Sequence, residues 1–370
     1  MLKLFVYYKN HSLFFLIISV VFLPIVLPAR ILPEIPKDQL AVVDDVWKSF
    51  EKFVDAQKGS QVDGICELKK YFQRFGYLPN DPAKNLTDLY DEELESAVFA
   101  YQKNLGLSAT GKLDPDTMNE IMAPRCGITD VRKTHMNFSS FSSTNNKTLH
   151  ATVHYAYFDE QPRWTRPSPM TLTYAFSPDH MINYLSMQDI RAAFQRSFSR
   201  WSAVIPVNFT ESEDYYGSDI KIGFYNGDHG DGEAFDGVLG VLAHAFSPEN
   251  GRFHLDGAET WAVDFEKVKS KSAVDLESVA THEIGHILGL AHSTVKEAVM
   301  YPSLHPRTKK VDLKIDDVAG IQALYGSNPN FKYSSLYESD ISSSWSLLVE
   351  RRRAFGWTVL ILVFLFCFCL

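Results

Sequence analysis

The chain carries the stretch His282-Glu283-Ile284-Gly285-His286-Ile287-Leu288-Gly289-Leu290-Ala291-His292, which decides the predicted fold. On a helix, His282 and His286 share one face, where two neutral imidazoles can bind a transition metal. Gly289 suits a helix end at which the chain turns sharply and returns His292 as a third ligand. Three protein nitrogens leave the fourth position of a tetrahedral zinc open for water, as in catalytic sites. Glu283 lies between the first two histidines and can act on that water as a base.

The residues around this stretch predict a helix start before it and a turn after it. Asp275 is placed to cap the helix, and Leu276 and Val279 fall on the side that would be buried. Downstream, Met300 stands in a Val-Met-Tyr-Pro sequence at a distance that suits the Met-turn found after this kind of motif. Met300 is therefore the Met-turn candidate.

Length, composition and charge limit the number of domains and the kinds of partner that the protein can have. A chain of 370 residues suggests about two domains, and a hydrophobic content of 45% is enough for a real core. The net charge of −9 argues against nucleic acid as a partner.

The N-terminal residues 1–29 have the pattern of a secretory signal peptide. Lys3 and Lys9 precede an apolar run at 13–27, and Ala29 offers a small residue for cleavage. An N-terminal membrane anchor is the alternative. The run is short and is broken by Pro24, which favours the signal peptide.

The C-terminal residues have the pattern of a glycosylphosphatidylinositol (GPI) attachment signal. A serine cluster at 342–344 is followed by a polar spacer and by an almost wholly apolar tail at 354–370. We therefore predict a linker at 331–342, attachment at Ser342 and a removed signal at 343–370. A transmembrane helix is the alternative, but it would leave the arginines at 351–353 outside, against the positive-inside tendency.

Residues 30–149 are predicted to form a helical pro-domain that ends in a linker. Apolar residues at helical spacing predict three helices between 46 and 122, the second capped by Asp91 and the third capped by Asp114 with Pro115 in its first turn. Residues 136–148 are rich in Ser, Asn and Thr, which is typical of an exposed, easily cut linker. We place the boundary to the next domain there.

Cys126 is the cysteine in this region that most needs an explanation. It could pair with Cys66, it could be a buried spectator, or its thiolate could occupy the open zinc position and exclude water. We favour the last interpretation, in which the thiolate keeps the enzyme inactive. Arg125 and Asp130 could pair and hold this loop in shape.

Residues 150–330 show a mixed pattern of strands and helices. Strands are predicted at 171–176, 207–211, 219–225 and 242–246, the last as an edge strand beside the cleft. A long helix should follow Ser186, its cap, and a final helix should end at Gly326. We expect a substrate to pair with the backbone at 242–245, and we expect residues 302–310 to wall a pocket for an apolar side chain.

A second polar cluster precedes the zinc helix. Three histidines and one aspartate, namely His229, Asp231, His244 and His254, would fill a tetrahedral zinc with no open position, as in a structural site. Carboxylates of the same region, namely Asp236, Asp256 and Glu259, suit calcium. Scattered surface polar residues are the alternative, but their placement just before the zinc helix favours metal binding.

From about residue 46 to 326, these motifs resemble the matrix metalloproteinases, the matrixin branch of the metzincins. The lack of a hemopexin-like domain and the anchor signal resemble the plant members. The resemblance implies an α/β (α+β) catalytic domain with a twisted, mostly parallel five-stranded mixed sheet and three helices, preceded by a three-helix pro-domain. It implies that His282, His286 and His292 bind catalytic zinc, with Glu283 as base and Cys126 as the zinc ligand of the latent form.

The same resemblance extends to the other metal sites. It implies a structural zinc on His229, Asp231, His244 and His254. It also implies one calcium held by Asp236, Gly237, Leu239, Val241, Asp256 and Glu259, of which Gly237, Leu239 and Val241 act through backbone carbonyls. Two positions depart from the family pattern: Thr129 replaces a proline of the cysteine loop, and Arg252 replaces an aspartate of a second calcium site that would also use Asp219.

Together these features predict a secreted zinc endopeptidase, anchored at the cell surface and made as a latent zymogen. Protein or peptide substrates, the membrane through a lipid anchor, zinc and calcium are the expected partners of a monomer. The alternatives are a catalytically inactive metal-binding surface protein and an exopeptidase. Four N-x-Ser/Thr triplets predict glycosylation at Asn85, Asn137, Asn146 and Asn208.

Overall fold

The computed structural model describes residues 47–83, 85–130, 154–334 and 336. The predicted signal peptide, the linker at 136–148 and the C-terminal signal at 343–370 lie outside the described residues. So do Asn137, Asn146 and Ser342.

The pro-domain contains the three predicted helices. After a short 3-10 helix at Lys48–Phe53 come α1 (Ile65–Arg74), α2 (Glu92–Asn104) and α3 (Pro115–Ile121). Asp91 accepts a hydrogen bond from the backbone N–H of Leu94, and Asp114 accepts one from Thr117, so both predicted caps are confirmed. Aromatic side chains fill the core between the helices, with Phe72 and Tyr101 packed edge to face at 5.6 Å.

The catalytic domain is built on one twisted sheet whose strand order is β1-β5-β6-β4-β2-β3. The strands are β1 (Arg125–Cys126), β2 (Met170–Phe176), β3 (Val207–Glu211), β4 (Ile220–Tyr225), β5 (Val241–Ala245) and β6 (Arg252–Asp256). All pairs are parallel except β5 with β6. The predicted five-stranded mixed sheet is therefore confirmed, and the pro-segment adds β1 as a sixth strand beside β5.

The domain has three helices: α4 (Met187–Val204), α5 (Leu276–Ile287) and α6 (Ile315–Tyr325). Ser186 caps α4 and Gly326 ends α6, as the sequence predicts. The indole N–H of Trp201 on α4 donates to the carbonyl of Thr281 on α5 at 2.9 Å, which joins the two helices in the core. Within the described residues, no helix is both long and apolar enough to cross a bilayer.

A two-stranded ribbon leads the chain into α5. It pairs β7 (Trp261–Ala262) with β8 (Val274–Asp275), so the last residue of β8 is also the cap of the helix. The Asp275 carboxylate accepts hydrogen bonds from the backbone N–H and the hydroxyl of Ser278, which confirms the predicted cap. The ribbon thus ends at the residue that begins the helix.

Candidate active site

The three histidines of the motif converge as predicted. His282 and His286 lie on one face of α5 with their Nε2 atoms 3.1 Å apart. Gly289 then adopts a left-handed φ of 107°, and a Cβ atom there would lie 2.3 Å from the carbonyl oxygen of Pro162. Only glycine fits this turn, which returns His292 to within 4.9 Å of His286, ring centre to ring centre.

Each of the three rings is oriented by a hydrogen bond from its Nδ1. His282 donates to the carbonyl of Val299 at 2.7 Å, and His286 donates to the carbonyl of Leu290 at 2.8 Å. His292 donates to the carboxylate of Asp130 at 2.7 Å. Because these oxygens are acceptors, each Nδ1 carries the proton and each Nε2 is left as the metal-binding nitrogen.

The thiol of Cys126 completes a set of four metal donors. Its Sγ lies 3.4 Å from His286 Nε2, and the four donor atoms lie within 4.8 Å of one another. One sulfur and three imidazole nitrogens, all buried, fit zinc. Burial, followed by the charge of Glu283, raises the pKa of this thiol, so a thiolate here needs a cation beside it. Cys66 and Cys126 are both free, so the alternative that they form a disulfide is wrong.

Glu283 points its carboxylate into this centre. Both of its oxygens are buried and lack a hydrogen-bond partner among the described residues. Burial raises its pKa to about 8, and the Cys126 thiol opposes that rise. A divalent cation on the three histidines would favour the ionised form, which is the form that a general base requires.

The Met-turn candidate packs beneath these histidines. A Cβ atom on Gly285 would lie 2.2 Å from the sulfur of Met300, so a glycine in α5 is needed for this contact. The backbone N–H groups of Val299 and Met300 donate to the buried carboxylate of Asp317 at 2.9 and 3.0 Å. Asp317 was not predicted from the sequence, although a charged residue in the apolar face of α6 was a signal for it.

The cysteine loop lies in the cleft as an extended strand. On one side, Arg125 donates its backbone N–H to Gly240, and Gly127 donates to Ala243 of β5. On the other side, the backbone N–H of Cys126 donates to the carbonyl of Pro302. Strand β5 was predicted as an edge strand, and in this structure β1 covers that edge.

Arg125 and Asp130 form the predicted ion pair. Their atoms Nη2 and Oδ1 lie 2.5 Å apart, and both side chains are fully buried. The guanidinium also stacks on the ring of Phe75 at 3.7 Å. Although burial opposes ionisation, Arg125 and His292 hold the pKa of Asp130 at about 2. The pairing of Asp130 with Arg125 was predicted from the sequence, but its contact with His292 was not.

The second histidine cluster converges on one carboxylate oxygen. Oδ2 of Asp231 lies 2.9 Å from His229 Nε2, 2.8 Å from His244 Nε2 and 2.8 Å from His254 Nδ1. Burial lowers the pKa of His244 and of His254 to about 4, so both rings are neutral and able to bind a metal. Four protein donors with no open position fit a structural zinc.

The predicted calcium ligands lie together in the adjoining loop. Backbone N–H groups in this loop donate to the carboxylates of Asp236, Asp256 and Glu259. Burial raises the pKa of Asp256 to about 6 and, together with Asp256, raises that of Glu259 well above its usual value. Oε2 of Glu259 is buried with no hydrogen-bond partner in the described part of the chain. These carboxylates lie so close together that they repel one another when ionised. A calcium ion, which binds hard oxygen ligands, would offset that repulsion.

The other predicted residues have simpler surroundings. Asp219 accepts hydrogen bonds from Arg166 and Thr173, so protein donors surround the carboxylate of the second calcium site. That site stays a prediction. Asn85 and Asn208 are exposed, as a glycan requires.

A pocket opens beside Glu283 behind the cleft. Its lining includes Leu242, Val279, Val299 and Tyr301, with Lys310 at one wall. Of the predicted pocket segment at 302–310, Pro302, Ser303, Leu304 and Lys310 line this pocket. The Lys310 ammonium donates to the carbonyls of Lys296 and Ala298, and burial lowers its pKa to about 8.

Comparison with known proteins gives consistent matches along the chain. A family model described as Matrixin matches residues 163–326, and a model of a peptidoglycan-binding domain matches residues 61–121. Metalloendoproteinase 1-MMP of Arabidopsis thaliana is 52% identical over 344 residues, which is 91% of each chain. Metalloendoproteinase 1 of Glycine max is 42% identical over 75% of this chain and 87% of its own. Matrix metalloproteinase-20 of Homo sapiens is 38% identical over 62% of this chain and 42% of its own.

Proposed function

The chain belongs to the matrixin family of zinc endopeptidases, and from that premise we propose a secreted, cell-surface protease made as a latent zymogen. Zinc and calcium are its cofactors. Its substrates are extracellular, cell-wall or matrix proteins, and it acts as a monomer. The observation that carries the proposal is the convergence of one thiol and three imidazoles beside the buried carboxylate of Glu283.

We assign the two donor clusters and the carboxylate loop to three metal ions. His282, His286 and His292 hold the catalytic zinc, with Cys126 as a fourth ligand before activation. The cluster around Asp231 holds the structural zinc. The loop holds calcium through Asp236, Gly237, Leu239, Val241, Asp256 and Glu259.

The catalytic steps follow from the positions of the chain's own groups. Bound zinc would supply a Lewis acid that polarises the scissile carbonyl and makes water more acidic. Glu283 takes the proton of the attacking water and passes it to the leaving amine. Once β1 has left, the carbonyls of Gly240 and Ala243 are available to hold a substrate as an added strand. The pocket lined by Leu242 and Tyr301 receives the side chain after the cut.

A peptide blocked at both ends tests this function directly. We expect the protein, once its pro-segment has been removed, to cleave an internally quenched peptide with an apolar residue after the scissile bond. A lysine or arginine at that position should slow cleavage by about 10-fold or more, because its charge would be buried without a partner beside the ammonium of Lys310. Cleavage only of peptides with a free terminus would indicate an exopeptidase. No cleavage by a zinc-loaded protein would indicate an inactive metal-binding protein.

We propose that residues 1–29 direct secretion, that 30–149 form the pro-domain and that 150–330 form the protease. Residues 331–342 then form a linker to a lipid anchor at Ser342. Phosphatidylinositol-specific phospholipase C should release nearly all of the protein from intact cells, because the anchor would be its only hold on the membrane. Retention of the protein, while a known lipid-anchored control is released, would instead favour a transmembrane helix.

A further inference from the structure

The hydrogen-bond acceptors of the three Nδ1 atoms in the zinc site come from two different parts of the chain. His282 and His286 donate to backbone carbonyls of the protease domain, at Val299 and Leu290. His292 donates to the side chain of Asp130, which belongs to the pro-segment and lies 162 residues earlier in the chain. Cleavage in the linker would therefore remove the Nδ1 acceptor of His292 and leave the Nδ1 acceptors of His282 and His286 in place.

The pro-domain holds Asp130 firmly in this position. Oδ1 accepts from Arg125 as well as from His292, and Oδ2 accepts from the hydroxyl of Tyr77 at 2.9 Å. The Tyr77 hydroxyl in turn accepts from the amide of Asn104 at 3.0 Å. The backbone N–H of Asp130 donates to the carbonyl of Phe75 at 3.1 Å. With its side chain fully buried, this carboxylate is fixed against the imidazole by groups of α2 and of the chain after α1.

We propose that Asp130 is a positioning residue for His292, so that the pro-segment helps the precursor to retain its catalytic zinc. The inference rests on the proposed role of His292 as a zinc ligand. A carboxylate on the outer nitrogen of a ligating histidine fixes its tautomer and orientation and makes the ligand more basic. Loss of such a partner usually lowers metal affinity by about 10- to 100-fold. Maturation removes Asp130 and thereby makes the catalytic zinc easier to lose.

The test uses the full chain in a Cys126→Ser background, which removes the contribution of the thiolate. Zinc transfer to a chromogenic chelator is followed with and without Asp130→Asn, an isosteric change that leaves a neutral acceptor. We expect one zinc to leave about 10 to 100 times faster in the double variant. The second zinc, on the cluster around Asp231, should leave at an unchanged rate and serves as an internal reference. Equal rates for the first zinc would overturn the proposal.

Tyr77→Phe provides the matched control for a merely structural role. It removes the hydrogen bond to Oδ2 and leaves the contact between Oδ1 and His292. Cobalt-substituted protein gives a second readout, because the visible absorption of cobalt reports the geometry and basicity of its ligands. Asp130→Asn should change this spectrum and Tyr77→Phe should not. Equal effects of the two variants on both readouts would mean that Asp130 only stiffens the loop.

Two further variants keep the test decisive. If Asp130→Asn does not fold, Asp130→Glu moves the carboxylate out of register with His292 Nδ1 and should speed zinc loss in the same direction. His292→Ala checks the premise on which the proposal rests. If this variant keeps its zinc as the parent does, the assignment of His292 as a zinc ligand is wrong. If it loses the zinc, the assignment holds and the comparison of the Asp130 variants decides whether this proposal is correct.

Discussion

Glu283→Gln is expected to keep zinc bound and to lower kcat by about 100-fold or more, the usual contribution of a general base. The carboxylate is buried beside the three histidines, and its oxygens have no hydrogen-bond partner among the described residues. Glutamine fills the same space but cannot take a proton from water. Activity should be measured in the Cys126→Ser background, and the zinc content should be determined on the same samples.

Controls separate a lost base from a disturbed site. Glu266→Gln changes an exposed glutamate that pairs with Lys269 at the surface, and it should leave kcat unchanged. The thermal midpoint of Glu283→Gln should equal or exceed that of the parent, because the variant no longer buries an ionisable group. Near-normal turnover by a zinc-loaded Glu283→Gln protein would show that the base is another group.

Local features of the fold were predictable because they depend on neighbouring residues. Helix caps such as Asp91, Ser186 and Asp275 act on N–H groups two or three positions further on, so a short stretch contains the full signal. The histidine motif is equally local, because helical geometry sets the spacing of His282 and His286. These caps and this motif were predictable because their interactions lie within one or two helical turns.

Features that depend on docking were not predictable in the same way. Strand β1 exists because two residues of the pro-segment meet β5 across the cleft, and their own propensities give no sign of it. Strand β6 was missed because its residues were interpreted only as metal ligands. His254 is both a strand residue and a candidate metal ligand, since a strand can present a ligand side chain on one face while its backbone pairs with β5 and β4.

Contacts over long sequence separations were the hardest to predict. The carboxylates of Asp130 and Asp317 each serve a residue of the zinc site from another part of the chain. A single sequence shows that these residues are charged, but not which buried donor they reach. The resemblance to a family gave the metal ligands, whereas the groups that orient those ligands emerged only from the packed structure.

Cys126→Ser is expected to make the uncut precursor active, with a gain on the order of 100-fold over the wild-type precursor. The thiol lies among the three histidines, and its tether keeps its effective concentration at the metal high. Serine keeps the size of the side chain but is a much weaker zinc ligand, so water can enter the fourth position. A mercurial reagent that caps the thiol should activate the wild-type precursor for the same reason.

Cys66 offers a matched control for both treatments. It is the other cysteine among the described residues, it is half-buried on α1, and it takes no part in the zinc cluster. Cys66→Ser should leave the precursor inactive, and this variant should still respond to the mercurial reagent. Activation of the Cys66→Ser precursor without any reagent would mean that loosening the pro-domain is enough to open the cleft.

The Cys126→Ser precursor also separates the contribution of the thiol to latency from the contribution of strand β1. In Cys126→Ser, the backbone bonds from β1 to Gly240, Ala243 and Pro302 remain possible, so the pro-segment can still cover the cleft. These bonds are exposed to competition from water and substrate once zinc no longer holds the loop, and each contributes only about 1 kcal/mol. We therefore expect substrate to displace β1. A Cys126→Ser precursor that folds, binds zinc and stays as inactive as the wild type would show that β1 alone maintains latency.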